Sequence, residues 1–137
     1  MANRNKAKGD RWENALLEYL REVFGRAAIR PRQEGHIDVG DLHISPFVIQ
    51  AKDEAKHTFS SYVDDAEKQA AAAGEPYGVA AVKRRQLGVT RGYIVGSVGT
   101  FRLVVARLRR AEELLLRANP DLFDQHISET KKESENR

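Results

Sequence analysis

Apolar residues recur at helical spacing through Trp12, Ala15, Leu16, Tyr19, Leu20 and Val23, which predicts a first helix capped by Asp10 and stopped by Gly25. A flexible basic leader is expected before it. Residues 27–32 read as extended, and Pro31 makes them an edge strand or a strand end. Residues 33–40 are turn-rich. Two β-prone runs follow, 41–44 and 47–51, and Ser45-Pro46 between them predicts a hairpin. Tyr62, Val63, Ala66, Ala70 and Ala73 predict a second helix over 60–73, closed by Gly74. Strands are expected at 77–83 and 93–98, joined by a basic, glycine-containing loop. A last helix begins near Thr100, with Phe101, Val104, Val105, Leu108, Ala111 and Leu115 on one face. Apolar residues thin out from Asp121, and the polar run 128–137 is expected to be disordered. The order α-β-β-β-α-β-β-α describes a single α/β domain over residues 9–120, a central mixed sheet flanked by helices, with a leader before it and a polar tail over 121–137.

Composition adds mainly exclusions. With 137 residues, 41% hydrophobic and 31% charged, the chain can bury one core without staples. It has no cysteine, which removes disulfides, thiolate zinc sites and cysteine nucleophiles together. No apolar run approaches the roughly 18 residues of a membrane helix, so no membrane partner is expected. The polar first ten residues predict no secretory signal. The expected location is cytoplasmic, in a bacterium or an infected host. A formal net charge of +3 leans modestly toward a polyanionic partner.

Three features line up as candidate chemistry. Glu13 lies on the first predicted helix, Asp41 opens a strand after Gly40, and Gln50-Ala51-Lys52 ends the next strand. Alternate strand residues point the same way, so Gln50 and Lys52 share a face. The predicted hairpin brings Asp41 beside it. A carboxylate, an amide oxygen and an ammonium then converge, a set suited to phosphodiester hydrolysis. Mg²⁺ takes hard oxygen ligands, one or two of them carboxylates, and activates water and phosphate. A lysine beside it orients the attacking water or offsets the developing charge.

Helix-Glu, then Gly-Asp, then strand-borne (Asp/Glu)-x-Lys resembles the PD-(D/E)xK nuclease superfamily. Lys8-Gly9-Asp10-Arg11-Trp12-Glu13, then Asp38-x-Gly40-Asp41, then Gln50-Ala51-Lys52 resembles archaeal-type Holliday-junction resolvases and small phage resolvase-like endonucleases. The resemblance runs from Lys8 to Val98. It implies a restriction-endonuclease-like fold with an αβββαβ core, and a metal-dependent DNA endonuclease acting on branched DNA. It also implies a homodimer, with an apolar helix face or the strand at 93–98 as the interface, and no small-molecule cofactor. Asp41 would be the principal metal ligand, Lys52 the catalytic lysine and Glu13 the helix-borne carboxylate. The Ala51 backbone carbonyl would be a further ligand. Asp38 is the alternative to Asp41: it precedes Gln50 by twelve residues, Asp41 by nine. The chain departs from the pattern at Gln50, where the family has Asp or Glu. An amide oxygen still coordinates Mg²⁺ but brings no charge, which weakens the site and favours Mn²⁺. Three readings follow: a weakened nuclease, one rewired through Asp53 or Glu54, or a non-catalytic nucleic-acid-binding protein on the same fold.

The remaining candidates concern DNA. His36, His43 and His57 lack the i, i+4 spacing of a helix-borne metal pair, and His36 and His57 are candidate DNA contacts instead. Lys83, Arg84, Arg85 and Arg91 form a basic loop suited to phosphate contacts, which confer affinity but no sequence preference. Arg32 joins them. Ser60 and Gln69 mark the second helix as a further phosphate-binding element.

Overall fold

In a computed structural model, residues 3–32 and 35–137 are described; Met1 and Ala2 of the expected leader and Gln33 and Glu34 of the expected turn lie outside them. The chain forms two compact units, Met1–Ser97 and Val98–Arg137. The first is α/β: helix α1 (Arg4–Phe24), strands β1 (Leu42–Ile44) and β2 (Phe47–Lys52), helix α2 (Phe59–Ala73), then β3 (Tyr77–Val82) and β4 (Tyr93–Val95). The second contains helices α3 (Val98–Ala118) and α4 (Pro120–Glu135).

The described strands make one mixed sheet in the order β1-β2-β3-β4. β1 and β2 form the predicted antiparallel hairpin, with Leu42 opposite Ile49. β2 and β3 run parallel, Gln50 opposite Ala80 and Lys52 opposite Val82. β4 returns antiparallel on β3. β3 reads Tyr-Gly-Val-Ala-Ala-Val and is buried throughout, as a central strand covered on both faces requires.

The two faces carry separate cores. Trp12 and Leu16 of α1 pack on Leu42, Ile49, Val79 and Ala81, with Ala51 at the margin. The Trp12 indole N–H donates to the Ala81 carbonyl at 3.0 Å, tying helix to sheet. On the other face Tyr62 of α2 meets Ala80 and Val82. A Cβ on Gly78 would lie 2.1 Å from the Ala66 carbonyl oxygen, so the glycine lets α2 rest backbone-on-backbone against β3.

Four expectations are corrected. The leader is helical from Arg4, because the Asn3 side chain accepts from the Asn5 N–H and caps the helix earlier than Asp10 would. The extended run 27–32 makes only a bridge, Ile29 to His43, with mutual backbone bonds of 2.9 and 2.8 Å; Pro31 has no N–H with which to continue a ladder. The fourth strand ends at Val95, and α3 starts at Val98. The expected polar tail is α4: Asn119 accepts from the Leu122 N–H, Pro120 occupies the first turn and Asp121 complements its dipole. Its one apolar stripe, Phe123 and Ile127, is half-buried, and His126 meets Glu112 of α3 at 3.0 Å.

Candidate functional site

β1 begins opposite Ile49, so the Ala51 N–H lies just beyond the last residue that β1 pairs. Asp41, at the mouth of that strand, fills the gap: its backbone N–H donates to Ile49 at 3.2 Å and its Oδ2 accepts from Ala51 at 2.8 Å. The carboxylate is thereby fixed at the end of β2, where Lys52 and Glu13 are its charged neighbours. Extending the register by one residue sets Asp41 opposite Gln50.

Glu13 reaches the same point from α1, one residue beyond the buried Trp12 that anchors the helix. Its carboxyl pKa is pushed up to about 6, first by burial and then by the neighbouring Asp41 charge, with Arg30 opposing. Arg30 lies 3.2 Å from Glu13 and donates to Asn14 at 2.8 Å. Burial also raises the Asp41 pKa, against the stabilising Ala51 N–H; Asp38 raises it further, while Glu13's hydrogen bond and Lys52 lower it. Two half-buried carboxyls that resist joint ionisation form a locus short of positive charge.

Gln50 turns to the face under α2 and is 7% exposed, and its Oε1 is buried without a hydrogen-bond partner among the described residues. An orphaned buried acceptor is costly and calls for a donor or a cation. Lys52 is held from outside: its ammonium lies 5.3 Å from the centre of the Tyr62 ring and 4.0 Å from Glu54. The Tyr62 hydroxyl donates to Glu54. Burial and then Glu54 raise the phenol pKa, keeping it a donor.

Asp38 is engaged differently. Its Oδ1 accepts from the Gly40 N–H at 3.0 Å and its Oδ2 from the Gln69 amide at 2.8 Å. Gly40 has φ +90°, and a Cβ there would lie 2.4 Å from Val48 Cγ1, so the turn that places Asp41 admits only glycine. Asp38 braces that turn against α2, while Asp41 faces the site.

Asp53 and Glu54, weighed as substitute ligands, are committed elsewhere. The Asp53 side chain is 4% exposed and lies 3.8 Å from Lys8 and 3.9 Å from Lys83; Glu54 serves Tyr62 and Lys52. Among the described residues no group of three or more His, Cys, Asp or Glu side chains is placed to hold a metal ion. The oxygen donors that do meet are the carboxylates of Glu13 and Asp41.

The basic loop is dispersed. Lys83 pairs with Asp53, Arg84 lies 5.0 Å from the Tyr93 ring centre, and Arg85 lines a groove with Lys52. Arg91 is exposed in a short 3₁₀ turn, and Arg32 and His36 are exposed in the loop before β1. His43 contacts the Val39 carbonyl, His57 stacks on Phe59, and Ser60 is exposed at the start of α2.

Sequence reasoning missed Arg30, which gives no local signal. It placed Gln69 on the right helix without its partner. Gln69 interrupts the buried stripe Tyr62, Ala66, Ala70 of α2, and a polar residue there signals a specific bond.

Comparison with protein-family models, with curated proteins and with solved structures finds no match for this chain.

Proposed function

We propose that this chain is a metal-dependent DNA endonuclease of the PD-(D/E)xK type that hydrolyses phosphodiester bonds in branched DNA such as Holliday junctions. One observation carries the reading: the Asp41 carboxylate accepts from the Ala51 N–H at 2.8 Å, with Lys52 as a charged neighbour and Glu13 of α1 hydrogen-bonded to it. The chain order supports it too. Counting the Ile29 bridge as a stunted first strand, α1, three strands, α2 and β3 follow an αβββαβ succession.

The donors suit Mg²⁺, or Mn²⁺ in its place. Asp41 and Glu13 bring hard carboxylate oxygens whose crowding favours a cation, and the orphaned Gln50 Oε1 lacks a partner. These three side chains would hold the ion, which when bound polarises the scissile phosphate and lowers the pKa of water. The rest is the work of the chain itself. Lys52, steadied by Tyr62 and Glu54, orients the attacking water and offsets charge gathering on the phosphate. In-line attack leaves 5′-phosphate and 3′-hydroxyl ends. Gln69 and Asp38 hold the Gly40 turn, and with it the Asp41 carboxylate. Paired cuts across a four-way junction call for two such sites, hence a homodimer.

Gln50 favours a second reading, a nucleic-acid-binding protein on this fold without catalysis, because a neutral ligand holds the ion less tightly. Labelled four-way junction, flap and linear duplex DNA, incubated with Mg²⁺ or Mn²⁺, separate the two. Metal-dependent cutting of the junction that disappears in Asp41→Ala supports the endonuclease. Tight binding with no cutting in either metal supports the second reading.

A further inference from the structure

α1 contains a glycine that its own packing does not require. Gly9 is the sixth residue of a 21-residue helix, and a Cβ built on it meets nothing within 4 Å. Glycine inside a helix is destabilising relative to alanine, and no left-handed backbone or close neighbour explains it here. The empty space in front of Gly9 belongs to an open groove of about 610 Å³, whose lining includes Lys8, Gly9, Lys52, Asp53, Glu54 and Arg85, with Glu54 held toward Lys52 and Tyr62. The proposed catalytic lysine stands in this groove.

The groove is built around a buried charge. The Asp53 carboxylate, 4% exposed, lies between the ammonium groups of Lys8 at 3.8 Å and Lys83 at 3.9 Å. So nearly buried an anion requires cationic partners, which fixes Lys8 at the groove wall. Exposed Arg85 offers a planar fork of donors suited to phosphate oxygens.

We propose that this groove seats the phosphate backbone of the DNA strand adjoining the scissile bond. Lys8 and Arg85 contact phosphates, Asp53 positions Lys8, and Gly9 leaves room for the sugar-phosphate chain to approach the helix backbone. The assignment rests on the endonuclease reading only for which strand lies there.

The test uses metal-free protein, labelled four-way-junction DNA and thermal melting, with cleavage in Mg²⁺ and Mn²⁺ measured alongside. Gly9→Ala should raise the melting temperature by about 4 °C, in line with its helix propensity, yet weaken DNA binding at least fivefold, and Gly9→Leu should weaken it more. Arg85→Ala should weaken binding severalfold and reduce the salt dependence by about one counterion. Lys8→Ala should do the same, and because it strands Asp53 the Gly9 variants decide the matter if it misfolds. Both Gly9 variants binding DNA like the parent would overturn the proposal, whether or not the parent cleaves. If they bind weakly while the parent binds but cuts in neither metal, the groove stands and the endonuclease reading falls.

Discussion

Asp38 and Asp41 stand three residues apart on the same approach to β1, and the fold gives them opposite tasks. Asp38 has both oxygens occupied, by the Gly40 N–H and the Gln69 amide, and serves as a strut between loop and helix. Asp41 spends one oxygen on Ala51, keeps a charged neighbour in Glu13, and has its pKa raised by burial. A satisfied carboxylate stabilises a structure; a crowded one is poised to bind a cation. Identical side chains are told apart by who donates to them.

The largest effect should come from exchanging charge at the two positions. Asp41→Asn is expected to lower cleavage of junction DNA at least about a thousandfold, the several kcal/mol that a metal-bound transition state supplies. Asp38→Asn should cost about tenfold or less, because the amide still accepts from Gly40 and Gln69 can turn its own oxygen to meet it. Equal losses in single-turnover assays would erase the distinction.

Stability should reverse the ranking. Asp38→Ala leaves the Gln69 amide and the Gly40 N–H without their acceptor, a loss of about 1–3 kcal/mol, whereas Asp38→Asn should stay within about 1 kcal/mol of the parent. Urea unfolding of both variants checks this, and an Asp38→Ala as stable as the parent would remove the strut.

Gln50→Glu sharpens the other side. A third carboxylate should lower the half-saturating Mg²⁺ concentration for cleavage by about tenfold and destabilise the metal-free protein. A titration with unchanged midpoint would mean that Gln50 faces no ion.

The smallest effect concerns protons. Glu13 binds its proton more tightly folded, at about 6, than its ordinary 4.5. The folded state therefore holds more protons between those values, and the stability of the metal-free protein falls as pH rises through that window. Asp41, raised in the same direction, adds to the fall. Glu13→Gln should melt above the parent at pH 7.5 and alongside it at pH 4. A difference independent of pH would show that the crowding of Glu13 and Asp41 is not felt.

Much of the fold was legible from local rules. The spacing of Trp12, Leu16 and Leu20 announced α1, Ser45-Pro46 the hairpin, and the run at 77–83 a strand, because each signal is carried by neighbours in sequence. The candidate residues Glu13, Asp41, Gln50 and Lys52 could be named the same way. α4 escaped notice because its cap, Asn119 with Pro120, opens onto a stretch whose polarity suggested disorder.

What the sequence by itself determined was therefore the kind and order of the elements and the residue types available for chemistry, since propensity, capping and alternation act over a few residues. Which aspartate faces the site, what Lys52 leans on, that Arg30 opposes Glu13 and that Asp53 is consumed by Lys8 and Lys83 were decided only by tertiary structure. Those contacts join residues far apart along the chain, and burial and pairing, which set the charge of a carboxyl, exist only once the sheet and its helices have closed around it.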